Sequence, residues 1–423
     1  MMRTREVWCP GAVGLAVAVA LTGPILAQEP ARFTVTVDPG GVDRSLMPVS
    51  LCLDRGAHLD GDVLTPERGE WVCTVTDVAG VGRTVQVEAH READLRVSAL
   101  SVHWVEESIV AGSPAVFELE LSPLGEGAAA PETSLGFEET PSALTLTHGE
   151  HALWRHELGF DPDRIEETYK TFHHVLDGET VLTKGLGGLY PHHRGLFIGW
   201  SKTRAAGRTH NFWWNAKGAS HLQRHAGFVD TQRTAGPLMA RSVSLVEWLS
   251  SGSLIVSERR GVTTWNLGPG RWSHEFEFVL QAAAGEVRLD GDPAHGGFQF
   301  RAAQEVAERE DCAYVLPLAA QGGENDNWTD CPWAAARITI GGHPYWIVHM
   351  NAPSNPGPTT YNTRSYGRFG SFFRATIPAD GELRLRYRVL VIDGAECGEL
   401  REEVIARAFE DFATPVSIEV SRQ

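Results

Sequence analysis

The residues best suited to chemistry lie in one short run, Leu189-Tyr190-Pro191-His192-His193-Arg194-Gly195-Leu196-Phe197-Ile198-Gly199-Trp200. Imidazoles titrate near neutrality and serve as acid, base or ligand. The neighbouring guanidinium suits a carboxylate or a sugar hydroxyl. In an extended chain His192 and Arg194 point to one side and His193 to the other, so one His can anchor a loop while its neighbour faces a cleft. The same run also reads as a structural knot that satisfies buried carbonyls. Four polar clusters are candidates to converge on it: Lys170-Thr171-Phe172-His173-His174, His210-Asn211-Phe212-Trp213-Trp214-Asn215, Asn351-Ala352-Pro353-Ser354-Asn355-Pro356 and Asn362-Thr363-Arg364-Ser365-Tyr366-Gly367. The last two read as a long surface loop, where function concentrates, although each cluster also reads as turn residues. A metal held by His174, His192 or His193, and His210 is geometrically conceivable, but nothing in the spacing demands one. No nucleotide-binding glycine pattern occurs, and the sequence names no cofactor.

These residues need a scaffold, and period-two alternation supplies it. Phe33, Val35 and Val37 alternate with Thr34 and Thr36; Phe117, Leu119 and Leu121 alternate with Glu118 and Glu120. Near the end Leu383, Leu385, Tyr387, Val389 and Val391 share one face, and Arg384, Arg386 and Arg388 the other. Such patterns, separated by Gly, Pro, Asp and Asn, predict an antiparallel all-β protein. One helix is expected over 400–412, with Val404, Ile405, Ala408, Phe409 and Phe412 on its apolar stripe. The run from Ser122 to Ser142 is rich in Pro, Gly, Ala and Glu and reads as a linker. The expected organisation is a small β-sandwich over 28–122, a linker over 123–142, and a large two-sheet sandwich over 143–423.

The first 27 residues read as a secretory signal peptide. Arg3 and Arg5 form the positive end, Gly11 to Leu21 is an apolar run, Pro24 breaks it, and Ala27 suits cleavage before Gln28. The run is shorter than the roughly 20 apolar residues a membrane span needs. A periplasmic or extracellular address follows, with no membrane partner after signal removal. The formal charge of −17 disfavours nucleic acid and anionic lipid as partners and favours a neutral ligand. The 13 Trp allow sugar-stacking platforms, though each is also a natural core residue. Export permits disulfides, with Cys52–Cys73 and Cys312–Cys331 as the regional pairings and Cys397 left free.

From about Leu135 to Asp393 the chain resembles a family of exported bacterial proteins catalogued as PmoA-like, or "methane oxygenase PmoA". The resemblance rests on Lys170 to Leu176, with His174 at the family's His; on Tyr190 to Leu196; on Gly296-Gly297-Phe298; and on Pro353-Ser354-Asn355-Pro356 followed by Arg364, Tyr366 and Gly367. Four positions depart from it: His295, Ala335, Ala352 and Asn362 stand where the family carries an acid, an Asp and two His. The resemblance implies a galactose-mutarotase-like super-sandwich with a ligand cleft on a concave face, and proteins that bind or transform sugars with a His and a carboxylate. Its oxygenase label implies a metal-dependent oxygenase; a membrane oxygenase would need several spanning helices, and a copper site on an N-terminal His would need a His where Gln28 stands.

The reading that follows is an exported carbohydrate-active protein, an acid/base lyase, hydrolase or epimerase on a neutral saccharide. His192, His193 and Arg194 are the catalytic candidates, and His174, His210, Asn355, Arg364 and Tyr366 the substrate-binding ones. Glu258, Glu324 and Asp326 are candidates for the carboxylate. A non-catalytic glycan-binding protein, favoured by the four departures, and a metal-dependent oxygenase are the alternatives.

Overall fold

Alternating apolar residues need a partner surface on one side only, and the chain meets that need by stacking antiparallel sheets. The computed structural model describes residues 29–59, 71–92, 96–124, 134–215, 220–283 and 285–423. The expected signal peptide and Gln28, and residues 125–133 of the expected linker, lie outside them. Among the described residues no helix is long and apolar enough to cross a membrane.

The fold is all-β. Its larger part is a sandwich of an eleven-stranded and a nine-stranded antiparallel sheet. The centre of the first sheet runs in the order Thr360–Arg364, Arg368–Phe372, Gly296–Arg301, Leu196–Trp200, Phe172–Asp177, His151–Glu157. The centre of the second runs Met239–Ser250, Ser253–Asn266, Arg271–Ala282, Glu382–Asp393, His343–Asn351. Between them lies one core, with Ile198, Trp200, Phe276, Phe278, Phe298, Phe300, Phe369 and Tyr387 all buried. The alternation expected over 383–391 is realised: Leu385, Tyr387 and Val389 enter this core. On the opposite face Arg386 and Arg388 hold Glu275 and lie over the Phe412 ring, at 4.7 and 4.8 Å.

That ring belongs to the helix Glu402–Ala413, close to the expected span. It buries Ile405, Phe409 and Phe412 over Trp333, Trp346 and Leu390, leaving Val404 exposed. Each such side chain contributes roughly 1.5–3 kcal/mol of burial.

The smaller sandwich pairs a four-stranded sheet (Trp71–Asp77, Ala115–Pro123, Ala31–Asp38, Ser417–Arg422) with a three-stranded one (Arg44–Asp54, Val97–Ile109, Gln86–Arg91). Two strands fall outside the expected domain boundaries. The C-terminal strand Ser417–Arg422, expected with the large domain, pairs with Ala31–Asp38, because Ile418 and Val420 find their apolar cover in the small core. The strand Leu135–Glu139, expected in the linker, pairs with Ala143–His148 at the edge of the eleven-stranded sheet. Gln86 fixes the small sandwich on the large one by accepting from the backbone N–H groups of Leu238 and Met239, at 3.2 and 2.9 Å.

The expected disulfides are not formed. All five described cysteines are free. Cys52 lies on the exposed face of the three-stranded sheet while Cys73 belongs to the four-stranded one, so their strands do not present them to each other. The Cys331 thiol is buried and donates to the Trp333 carbonyl.

Candidate active site

The site forms on the outer face of the eleven-stranded sheet. Phe298 and Phe300 face the core, Phe298 meeting the Phe276 and Phe278 rings at 4.9 and 5.2 Å. Strand alternation therefore sends Gln299 and Arg301 to the other side. Phe172 and Phe197 emerge there too and pack with Trp213 and Trp214.

The loop carrying His192 and His193 is delivered onto this face by Gly195. Its φ of 47° is in the left-handed region, and a Cβ there would collide with the His173 carbonyl. Two buried lysines then hold the loop by its carbonyls. Lys170 Nζ donates to His192 (2.9 Å) and Trp213 (2.6 Å) and sits 3.7 Å from the centre of the Phe197 ring. Lys184 Nζ donates to Tyr190 (3.4 Å) and His193 (3.3 Å). Burial pushes Lys184 down to about 8 and takes Lys170 well below the ordinary lysine range.

Within this frame the His192 and His193 rings stand 4.2 Å apart. His193 meets Tyr190 at 5.5 Å and Trp213 at 5.8 Å, and lies parallel to Tyr366 at 6.3 Å. Both its ring nitrogens are buried without a partner. His192 meets Trp214 at 5.8 Å. Burial, followed by the charge of Lys170, lowers His192 to about 3. Burial, then Arg368, takes His193 well below the usual imidazole range. Both rings are therefore neutral at physiological pH, and the same burial makes them weak bases in the unliganded protein.

Tyr366 joins them from the turn between Thr360–Arg364 and Arg368–Phe372. Its ring lies 4.9 Å from the Arg301 guanidinium, and its hydroxyl accepts from Arg368 Nε at 3.4 Å. Arg368 also donates to Gln299 Oε1 (3.0 Å) and to Asn362.

The other expected residues are placed elsewhere or used up. Arg194 donates to the carbonyls of Pro191, Glu166 and Glu167 and lies over Tyr169, so it is the knot and not a free ligand group. His174, lowered to about 4 by burial, then by Arg155, bonds Thr183 and stands 3.8 Å from Glu157. His210 is bound by Ser250 and the Ala205 carbonyl. Asn355 spends its amide on Asn351 and on both backbone groups of Arg386. Arg364 turns to Asn325 and Asp326. Glu258 is inside the sandwich, bonded to Arg260 at 2.5 Å and to Trp248 at 2.6 Å. Glu324 and Asp326 are exposed. None of the three candidate carboxylates bonds either His192 or His193. Ala335 and Ala352 lie in the apolar layer under the helix.

Four residues of the site escaped the sequence reading: Lys184, Arg301, Arg368 and Asp292, whose carboxylate meets the His295 ring nitrogen at 2.8 Å beside Trp214. The signal for Arg301 was Gln299 and Arg301 alternating with Phe298 and Phe300 in one strand. Among the described residues no three His, Cys, Asp or Glu side chains gather closely enough to hold a metal, because His210 and His174 are bound apart from His192 and His193.

No curated protein matches the chain. Residues 143–410, which carry the nine-stranded sheet, all of the eleven-stranded sheet but its edge strand Leu135–Glu139, and the whole cluster, match the family described as "Family of unknown function (DUF6807)", and over that majority of its length the chain belongs to this family.

Proposed function

We propose that this protein is an exported carbohydrate-active enzyme that draws a proton from a sugar carbon, as a lyase or an epimerase. The observation that supports this reading is the neutral, buried imidazole pair on an aromatic-lined sheet face, with His193 lacking any partner for either nitrogen. An imidazole nitrogen with no proton and no partner is free to take one and becomes a stronger base when an anion binds beside it, and Tyr190, Tyr366 and Trp214 supply flat apolar rings of the kind that suit a pyranose. Glycoside hydrolysis is the weaker choice of the three, since it ordinarily uses two carboxylates flanking the bond, about 5–9.5 Å apart. The carboxylates of the region are instead engaged, Asp292 with His295 and Glu157 with Arg155.

Incubation of the purified protein with a saccharide panel in heavy water tests this. Proton NMR should show loss of one ring C–H signal, or ultraviolet absorbance a new double bond. His193→Ala should slow that turnover by at least about 100-fold. No exchange and no double bond with any saccharide would remove the reading and leave a glycan-binding protein, which the exposed Tyr190 and Leu189 would serve.

A further inference from the structure

We infer that the saccharide taken by this site carries a carboxylate, and that Arg301 holds it. This rests on the proton-abstraction reading above and names its substrate class. Arg301 is 0% exposed. Its Nη1 donates to the carbonyls of Ala302, at 3.0 Å, and Tyr366. Its Nε and Nη2 have no partner. Those two N–H groups lie on one edge of the planar guanidinium and match the two oxygens of a carboxylate.

Among the described residues every other buried guanidinium has either a carboxylate counter-ion or, as in Arg194 and Arg368, an oxygen acceptor on each nitrogen. Arg260 has Glu258, Arg44 has Asp411 at 3.3 Å, and Arg388 has Glu275 at 2.7 Å. Arg301 has none among the described residues, and its charged neighbours Arg368 and Lys184 are bound only to neutral oxygens. A buried charge without a counter-ion is costly, and a ligand anion removes that cost. Seating it requires the Tyr366 ring, which lies on the guanidinium, to give way.

The chemistry points the same way. An unactivated ring C–H of a neutral sugar is too weak an acid for imidazole, whereas one beside a carboxylate can give its proton to the base once a guanidinium neutralises the carboxylate's charge, leaving an enolate. The Tyr366 ring lies parallel to the His193 ring at 6.3 Å and 4.9 Å from the guanidinium, so the enolate charge would develop on oxygens held by Arg301. The carbon's proton passes to imidazole, and its electron pair moves into the enolate. The enolate then takes a proton from water on the other face, giving the epimer, and the imidazolium returns its proton to the hydroxide so formed. Alternatively it expels the β-oxygen, which leaves with a proton from the imidazolium as the C=C bond forms. Neither path needs a reactant other than water. The expectation of a neutral ligand rested on the net charge of the whole chain; the local field here is positive.

Calorimetric titration with uronate oligosaccharides (galacturonate, guluronate and glucuronate series), and with the same series after carboxyl reduction, tests the inference. Wild type should bind at least one uronate, and its reduced counterpart at least about 100-fold more weakly. Arg301→Gln should erase that preference, and Arg301→Lys should restore part of it. Equal binding of the acid and reduced forms by wild type overturns the inference without any variant, as does equal competition by a sulfated neutral sugar. Proton exchange on neutral keto-sugars with no carboxylate preference would sink the inference while the proton-abstraction reading stands. Uronate binding through Arg301 without exchange would do the reverse.

Discussion

Two buried arginines of this protein differ in one respect, and the difference separates structure from function. Arg260, 1% exposed, lies inside the large sandwich with Glu258 at 2.5 Å, and Glu258 also accepts from Trp248 at 2.6 Å. Arg301, equally buried, lies on the outer face of the eleven-stranded sheet with two donors unused. The first has its counter-ion within the chain, although its Nη2 is also left without a partner. The second has neither a counter-ion nor a partner for Nε and Nη2 among the described residues. A buried charge with neither counter-ion nor full hydrogen bonding lowers stability, and a ligand anion would remove that cost.

The comparison breaks most visibly at Glu258. Glu258→Gln leaves Arg260 buried without its counter-ion and should cost about 3–5 kcal/mol in urea denaturation. Replacing both Glu258 and Arg260 by Leu should recover most of that loss, because the desolvation of both charges is then avoided. A Glu258→Gln variant as stable as wild type would mean that the interior pair is no more self-contained than the outer cluster.

Acid is the next lever. Burial pushes His274 and His349, both inside the sandwich, down to about 3, and takes the stacked pair His156 and His173 well below the usual range. For each, the folded state binds fewer protons than the unfolded chain, whose imidazoles titrate near about 6.5. Stability is therefore full above pH ~6.5 and falls as the pH drops from there toward ~3. The slope reaches about 1.4 kcal/mol per pH unit for each histidine. Denaturation midpoints measured from pH 8 to 4 should show it. His192, down at about 3, adds its share on the outer face, and a bound uronate should reduce that share while leaving the interior one unchanged.

Much of this was legible along the chain and some was not, for a physical reason. Phe33, Val35 and Val37 announced a one-sided strand and form one. Tyr190 to His193 and Tyr366 meet although their elements are distant in sequence. Arg301 and Arg368 were hidden because Gly296–Arg301 and Arg368–Phe372 are buried on both faces. Period two shows that such a strand has two sides, but not which one is core. The same ambiguity hid the difference between His173, in the core against Trp154 and Phe276, and His174, on the outer face. His210 and Asn355 looked like ligand groups because polar side chains in loops do. Only their partners, Ser250 and the Arg386 backbone, show them to be internal ties. The strand Ser417–Arg422 was not picked out along the chain, and its sheet depends on a pairing across nearly the whole chain.

The smallest effect tests the comparison from its other side. Arg301→Met keeps the side chain's length and removes its charge. Two accepting carbonyls, Ala302 and Tyr366, lose their donor, at about 1 kcal/mol each. Against this, a guanidinium with an unused edge no longer has to be held out of water. The two terms are of similar size and opposite sign, so the stability of the unliganded protein should change by no more than about 1 kcal/mol. Uronate affinity should nevertheless fall at least as far as for Arg301→Gln. Urea denaturation of the variant without ligand checks the first part, and calorimetry the second. A loss as large as that expected for Glu258→Gln would show that Arg301 already has its counter-charge in the folded chain. The distinction between the two arginines would then be gone, and with it the reason to place an anion at the outer one.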